Sequence, residues 1–341
     1  MRRTCLVLAM LLITVAFAFA GGEQEEAPAQ EPAEQQPAET VEPTGEQIRF
    51  RVAYTDPPRL RVGTEQLIHV TPAAVYAFED NINRSTGGRF VVDFQHSGAL
   101  GSQVETIEQT QQAVIEATTP ALPALASFYP NIDVFSIPYL FDNPVIAWEV
   151  IDGPFGQALF DDMAEETGLR VLAVFDNGGY RNFSNNTRPI RAPEDMEGLK
   201  IRVIESPAQL AIVEALGASP TPIAFTELYS ALQTGVVDGQ ENSPATMIAI
   251  SLQEVQKYYT VDQHTLSLAA IVVSEEWYQG LDPDIRNKVR IASRVAATAG
   301  RGAAYSNNKL ALQFLRDSGM EVYSPSPEER GAFRDLSQGP V

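Results

Sequence analysis

From Ile48 onward, apolar runs of strand length alternate with amphipathic stretches of helix length, and this alternation constrains the fold more than any other feature. The strand-like runs are IRFRVAY (48–54), RFVVDFQ (89–95), LRVLAVF (169–175), LKIRVI (199–204) and LSLAAIVVS (266–274). A helix is expected from residue 65 to about Gly87-Gly88. Ser102 is placed to cap the next helix, with Glu105 three residues on as its capping-box partner. Asn143-Pro144 and Ser206-Pro207 each put an oxygen acceptor at the cap and proline at the first helical position, where its missing N–H is no loss. Thr226 is read as a further N-cap, with Gly235 closing that helix. From Pro283 to about Asp317 the pattern is helical, with no glycine before Gly300. Strands alternating with helices predict α/β layers built from βαβ units, and residues 48–341 suffice for two domains.

The first twenty residues, MRRTCLVLAMLLITVAFAFA, have a basic start, an apolar run too short to span a bilayer, and small residues at the end. They read as a secretory signal peptide. Cys5 precedes the apolar run, whereas a lipidated cysteine would follow it; Cys5 is expected to leave with the signal, unlipidated. Without it the chain has no cysteine, hence no disulfide, thiolate nucleophile or cysteine metal site. Residues 21–47 hold eight Glu, no Lys or Arg and no aromatic, and read as a disordered acidic spacer. The full chain carries −20; without the signal arginines and the spacer acids the remainder is still about −14. Such a surface disfavours nucleic acid as a partner, yet leaves room for an anion where a few cations converge.

In open α/β sheets, ligands bind beyond the carboxyl ends of the strands. The strand at 169–175 leads into DNGGYRN, delivering Arg181; the strand at 199–204 carries Arg202 near its end; SPTPIAF delivers Phe225; VVDGQEN delivers Asp238, Glu241 and Asn242. Two arginines, an aromatic and an amide suit recognition of a carboxylate, because a guanidinium donates two parallel hydrogen bonds to it. Each residue has a plainer reading. Arg202 alternates with Leu199, Ile201 and Val203, as on the exposed face of a strand; Arg181 fits a turn that bonds local carbonyls; Phe225 fits a core position; Asn242 fits a turn. The three histidines (His69, His96, His264) lack metal spacing, and no nucleophile elbow or phosphate loop occurs. No metal, cofactor or catalytic residue is expected. His264 reads as a structural hydrogen-bonding residue.

Longer stretches then carry a resemblance. GYRNFSNNTRPIRAPEDMEGLKIRV, ALGASPTPIAFTELYSALQTGVVDGQENSP, EVQKYYTVDQHTLS, HSGALGSQVETIEQTQQ and DVFSIPYLFDNPVIAWEVIDG resemble the solute-binding proteins of tripartite ATP-independent periplasmic (TRAP) transporters, over about residues 49–330. The resemblance implies a periplasmic-binding-protein-like fold of two α/β domains, joined by hinge strands and crossed by a long helix. The first domain would comprise 48–178 plus about 268–307, and the second 179–267 plus about 308–341. It implies a periplasmic monomer that closes on a small organic acid and passes it to the small and large permease subunits. It carries the carboxylate-pairing role to Arg202, the second cleft arginine to Arg181, the aromatic to Phe225 and the amide to Asn242. Glu241, Gln103, Glu105 and Tyr54 are weaker candidates. The chain departs from the pattern at FRDLSQGPV, where similar proteins continue, so a shortened last packing element is expected. Two other readings stay open: an enzyme on a carboxylated substrate with Glu241 or Asp238 as base, and a ligand-sensing partner of a membrane receptor.

Overall fold

The computed structural model describes residues 45–341. The expected signal peptide, Cys5 and residues 21–44 of the expected spacer lie outside the described residues. In chain order the elements are β1 (Ile48–Ala53), β2 (Arg59–Val62), β3 (Glu65–Ile68), α1 (Val70–Thr86), β4 (Phe90–Gln95), α2 (Gln103–Gln111), β5 (Ala117–Thr118), α3 (Pro144–Ile151), α4 (Pro154–Thr167) and β6 (Leu169–Asn185). There follow β7 (Lys200–Val203), α5 (Pro207–Ala215), β8 (Ser219–Pro222), α6 (Leu228–Gln233), β9 (Gly239–Asn242), α7 (Pro244–Ala249), β10 (Tyr258–Ser274), α8 (Glu275–Gly280), α9 (Pro283–Asp317), β11 (Glu321–Tyr323) and α10 (Pro327–Ser337).

Nine strands form one mixed sheet in the order β4-β1-β5-β10-β6-β9-β7-β8, with β11 also on β10, while β2 and β3 form a separate two-stranded sheet. β1, β4 and β5 run parallel at one end, and β7, β8 and β9 run parallel at the other. The antiparallel pair β6–β10 runs through the middle. At the first end, Phe50, Val52, Phe78, Ile82, Phe175 and Ile271 make a core on one face, and Ile132, Phe160, Val174 and Val272 make another on the opposite face. At the second end Leu228, Met247 and Tyr259 lie in a third core, and Phe183, Ile201, Ile212 and Phe333 in a fourth. The expected α/β class is thus the observed one.

Helix α9 joins the two ends. Its residues Ile285, Val289, Ala292 and Ala296 pack in the first core, while Ala311 and Leu315 pack in the third. It approaches β6 so closely at Gly300 that a Cβ there would lie 2.9 Å from the Phe175 side chain. Helix α10 begins with a full capping box, Ser326 with Glu329, and buries Phe333. Residues 327–337 therefore supply a packed helix where a shortened element was expected.

Three local expectations are corrected. Residues 65–68 are not helical: β3 pairs with β2 across Gly63-Thr64, Gly63 taking φ +59°, and α1 starts only after His69. Thr226 does not cap a helix; Phe225–Glu227 is a 3-10 turn, and α6 starts at Leu228 without a side-chain cap. Strands β6 and β10 each run for 17 residues, well past the apolar runs that announced them. Their polar halves pair with each other across bulges between Thr260 and Thr265 and between Leu266 and Leu268, so buried backbone groups stay bonded.

At the midpoint of β6, Gly178 and Gly179 adopt φ of +99° and +91°, and the Gly179 N–H donates to the buried Asp176 carboxyl. Burial pushes Asp176 up to about 6, against the two glycine N–H groups and the distant Arg301 that favour its charged form. A carboxyl with a raised folded-state value binds protons more tightly folded than unfolded, so stability falls as pH rises from about 4 through about 6. Asp176→Asn retains an acceptor for Gly179 without the charge. It is expected to add about 2–3 kcal/mol at pH 7.5 and close to nothing at pH 4. Thermal melts of both proteins at the two pH values check this, and equal gains at both would refute the account.

Candidate functional site

The parallel β7 places Arg202 between β8 and β9, in register with Thr221 and Gln240. Arg202 is 1% exposed, so the alternation reading of an outward strand residue is overturned. Both faces of β7 are covered beyond its exposed first residue, Lys200, which is why Ile201, Arg202 and Val203 are buried alike. Its Nε donates to the Ile223 carbonyl at 2.7 Å, and Nη1 has no hydrogen-bond partner among the described residues. No carboxylate among the described residues pairs with it within 4 Å. Burial, with Arg181 adding to it against the pull of Glu241, brings its guanidinium down to about 10. A buried cation without a bonded counterion is an unfavourable arrangement unless an anion arrives to complete it.

Arg181 is 3% exposed and, unlike Arg202, paired with a carboxylate through its Nε and Nη2. Its Nε and Nη2 grip both carboxylate oxygens of Glu241, and Nη2 also donates to the Glu241 carbonyl at 2.8 Å. Glu241 in turn lies 3.3 Å from His264 Nε2, and His264 Nδ1 lies 2.7 Å from Asp262. The Phe183 ring stacks on His264 at 4.5 Å, and the Phe183 N–H donates to Asp262. Burial opposes the charge on Glu241, but Arg181 and His264 outweigh it and hold the carboxyl down at about 2. Burial likewise opposes the charge on His264, and Asp262 and Glu241 outweigh it, raising the ring to about 9. The chain Arg181–Glu241–His264–Asp262 thus ties β6, β9 and β10 together with its formal charges balanced. Arg202, beside it, is the surplus cation.

The first turn of α2 faces Arg202 from the other end of the sheet. Ser102, Gln103, Arg202, Glu205 and Phe225 line a small cavity of about 10 Å³, room for one water-sized group. The fold therefore brings Gln103, Arg202 and Phe225 together from segments 122 residues apart. Gln103 is braced there, its Nε2 donating to Thr55 and its Oε1 accepting from the Ala121 N–H. Glu105 serves the helix instead: it accepts from the Ser102 N–H at 2.7 Å and closes the expected capping box. Asn242 is buried with its Nδ2 on Gln240 and its carbonyl accepting from Tyr259, and it lines neither this cavity nor the one described next. Tyr54, at the end of β1, is buried with its hydroxyl unpartnered among the described residues. Asp238 accepts from the Lys200 N–H, a structural bond within the sheet.

Sequence reasoning missed Gln209. It stands three residues after the Ser206 cap, where a glutamine ordinarily reaches back to the cap N–H, but the Ser206 N–H already donates to the Ile204 carbonyl. Gln209 points inward, 1% exposed, toward a second cavity shared with Ser136, Arg181, Thr265 and apolar neighbours. The largest groove, about 990 Å³, lies elsewhere, between α4, α5 and residues 129–137. Its charged lining residues are Asp133 and Asp162, so it presents no cationic side chain to an anion.

Comparison with known proteins places this geometry. The family model for bacterial extracellular solute-binding protein family 7 (DctP) matches residues 65–339. The C4-dicarboxylate-binding periplasmic protein of Rhodobacter capsulatus is 34% identical over 264 residues, covering 76% of this chain and 78% of that one. Among solved structures, a TRAP periplasmic solute-binding protein from Sulfitobacter with bound β-D-galacturonate aligns with a TM-score of 0.78 at 29% identity, covering 85% of this chain and 92% of that one. The sugar-acid-binding protein of Advenella mimigardefordensis, in complex with galactonate, aligns with a TM-score of 0.78 at 30% identity, covering 85% and 90%. With most of its length matched, this chain belongs to the DctP family of TRAP periplasmic solute-binding proteins, which bind and release a solute and do not transform it.

Proposed function

We propose that this protein captures a sugar acid or similar small carboxylate between the two ends of its sheet, with Arg202 as the carboxylate clamp, and delivers it to the small and large subunits of a TRAP permease. The observation that carries the reading is the buried Arg202 guanidinium with Nη1 unpartnered beside a charge-balanced network. One carboxylate on Arg202 neutralises the cluster. Phe225 would pack on the ligand's carbon skeleton, Gln103 and Tyr54 would approach from the first end, and Arg181 and Asn242 would complete the wall, with Glu241 orienting Arg181 and Glu105 fixing the turn that holds Gln103. Relatives and neighbours that carry galacturonate, galactonate and a C4-dicarboxylate support the ligand class. The division into a first domain of 48–178 plus about 268–307 and a second of 179–267 plus about 308–341 is part of this reading, with β6, β10 and α9 as the crossings and Leu60 of the first range reaching into the third core. Ligand favours the closed state only through contacts the open state lacks, and α2 meeting Arg202 supplies them. Export by the first twenty residues, with Cys5 removed unlipidated, and action as a monomer complete the reading.

A thermal-shift comparison of D-galacturonate with D-galactose, D-galactonate with D-galactitol, and succinate with butanediol tests it. Ligand at a hundred times its Kd stabilises the folded state by about 2.7 kcal/mol. At least one acid is expected to raise the melting temperature by several degrees while its neutral counterpart leaves it unchanged. Equal shifts from acid and neutral forms would remove Arg202 from the centre of the reading.

A further inference from the structure

A second group of buried polar atoms is left unmatched near Arg181. Both side-chain polar atoms of Gln209, Oε1 and Nε2, lack partners among the described residues, although the residue is 1% exposed. Thr265 Oγ1 is likewise buried and unpartnered. Both residues line the cavity bounded by Leu122, Phe135 and Ser136 from the first end of the sheet and by Arg181 and Gln209 from the second. Its volume is about 10 Å³, the size of one oxygen-centred group. Arg181 Nη1 has only a 3.4 Å bond to Ser267 in the same neighbourhood, so a donor as well as an acceptor is available. An amide with neither end bonded is a rare arrangement in a protein interior, because each unmatched atom has lost its water without gaining a partner.

The geometry points to a hydroxyl subsite: we infer that Gln209 and Thr265 receive one hydroxyl of the bound acid and so select hydroxylated carboxylates over their deoxygenated analogues. This rests on the carboxylate reading of Arg202 and sharpens its ligand class. The chemistry favours a hydroxyl over a second carboxylate. A hydroxyl both donates and accepts, which matches Oε1 and Nε2 together, whereas a carboxylate only accepts and would face Gln209 Oε1 unfavourably. Glu241 also sits directly behind Arg181 and already balances it. A methylene in place of the hydroxyl would leave the amide unmatched in the closed protein, which is how a polar site rejects an analogue it fits by shape.

Calorimetric titration of the full chain with D-galactonate, D-glucuronate and D-erythronate, each against the unhydroxylated monocarboxylate of equal carbon number (hexanoate, tetrahydropyran-2-carboxylate, butanoate), tests this. The wild type is expected to bind at least one hydroxy acid 100-fold or more tighter than its counterpart. Gln209→Leu should lower that ratio at least tenfold while leaving the weak binding of the unhydroxylated acid within about threefold. Thr265→Val should lower it in the same direction, and serves as the second variant should Gln209→Leu unfold. The melting temperature of ligand-free Gln209→Leu is expected to hold or rise, since an apolar side chain removes an unmatched amide. A ratio unchanged in both variants would mean that the cavity holds a water only, and would overturn the inference. Hydroxylated and unhydroxylated acids bound equally by the wild type would overturn it too while leaving the carboxylate clamp standing. Binding to no acid at all is a failure of the clamp itself, and is distinguished because Arg202→Lys then changes nothing.

Discussion

Arg202→Lys is expected to weaken binding of the preferred acid by about 2–5 kcal/mol, thirtyfold or more, despite conserving formal charge. The reason lies in how the guanidinium is held. Nε is committed to the Ile223 carbonyl, which fixes the plane of the group and leaves Nη1 free of any partner among the described residues. An arginine can keep that anchor and still present further N–H donors in a fixed fork. A lysine has one nitrogen for both tasks, so it either loses the anchor or meets the carboxylate as a point charge. A buried ammonium beside Arg181 also deprotonates far more readily than a guanidinium, which removes even the charge. Melting of the ligand-free variant should change little, because Arg202 makes no ion pair among the described residues. Calorimetry with the acid identified in the thermal screen measures the effect. Affinity within about threefold of wild type, roughly 0.65 kcal/mol, would leave the clamp without support.

How far the sequence foretells such a site depends on what kind of pattern each part obeys. Elements with local signatures are legible: Ser102 with Glu105, Asn143-Pro144 and Ser206-Pro207 cap their helices as their spacing predicts, because capping is a contact between residues two or three apart. The long α9 is legible because nothing interrupts its period. The continuation of β6 through Asp176-Asn177-Gly178-Gly179 is not. Glycine and polar residues there imitate a turn, and only the pairing of Asp176 and Tyr180 on either side with Leu268 and Leu266 of β10 carries the strand through. The hairpin β2–β3 hides for a similar reason, its four-residue strands being too short for a period to show. At the site, the alternation around Arg202 pointed outward, since a one-faced strand is the ordinary case; β7 is instead sandwiched, which no spacing within LKIRVI reveals. Gln209 was hidden by the very cap signal that located its helix. The long stretches shared with the TRAP receptors carried the family, whereas the pairing of Arg181 with Glu241 and His264 is visible only in three dimensions.

That pairing yields the largest expected effect on stability. Glu241→Gln removes the carboxylate that compensates both Arg181 and His264 and leaves two cations buried within one network. Breaking a buried ion pair by deleting one partner costs about 3–5 kcal/mol, much of the 5–15 kcal/mol that holds a typical domain folded. The expected fall in melting temperature is about 5–8 °C, since about 300 folded residues have an unfolding entropy of about 0.6 kcal/mol/K. Its pH dependence is diagnostic. In the wild type His264 is raised to about 9, so the stability it contributes is complete below its ordinary value near 6.5 and is lost as pH climbs through about 9. Without Glu241 the ring keeps only Asp262 against burial and against Arg181, so the folded-state value falls and the loss of stability between pH 6.5 and 9 shrinks. Urea titrations at pH 6 and pH 9.5 therefore separate the two proteins most at the lower pH. Adding Arg181→Met to Glu241→Gln should recover a large part of the deficit, because an apolar side chain replaces the stranded charge. A single variant that melts within about 2 °C of wild type, well under the change expected from one broken buried pair, would show that water or rearrangement already compensates Arg181, and the network would then be no brace between β6, β9 and β10.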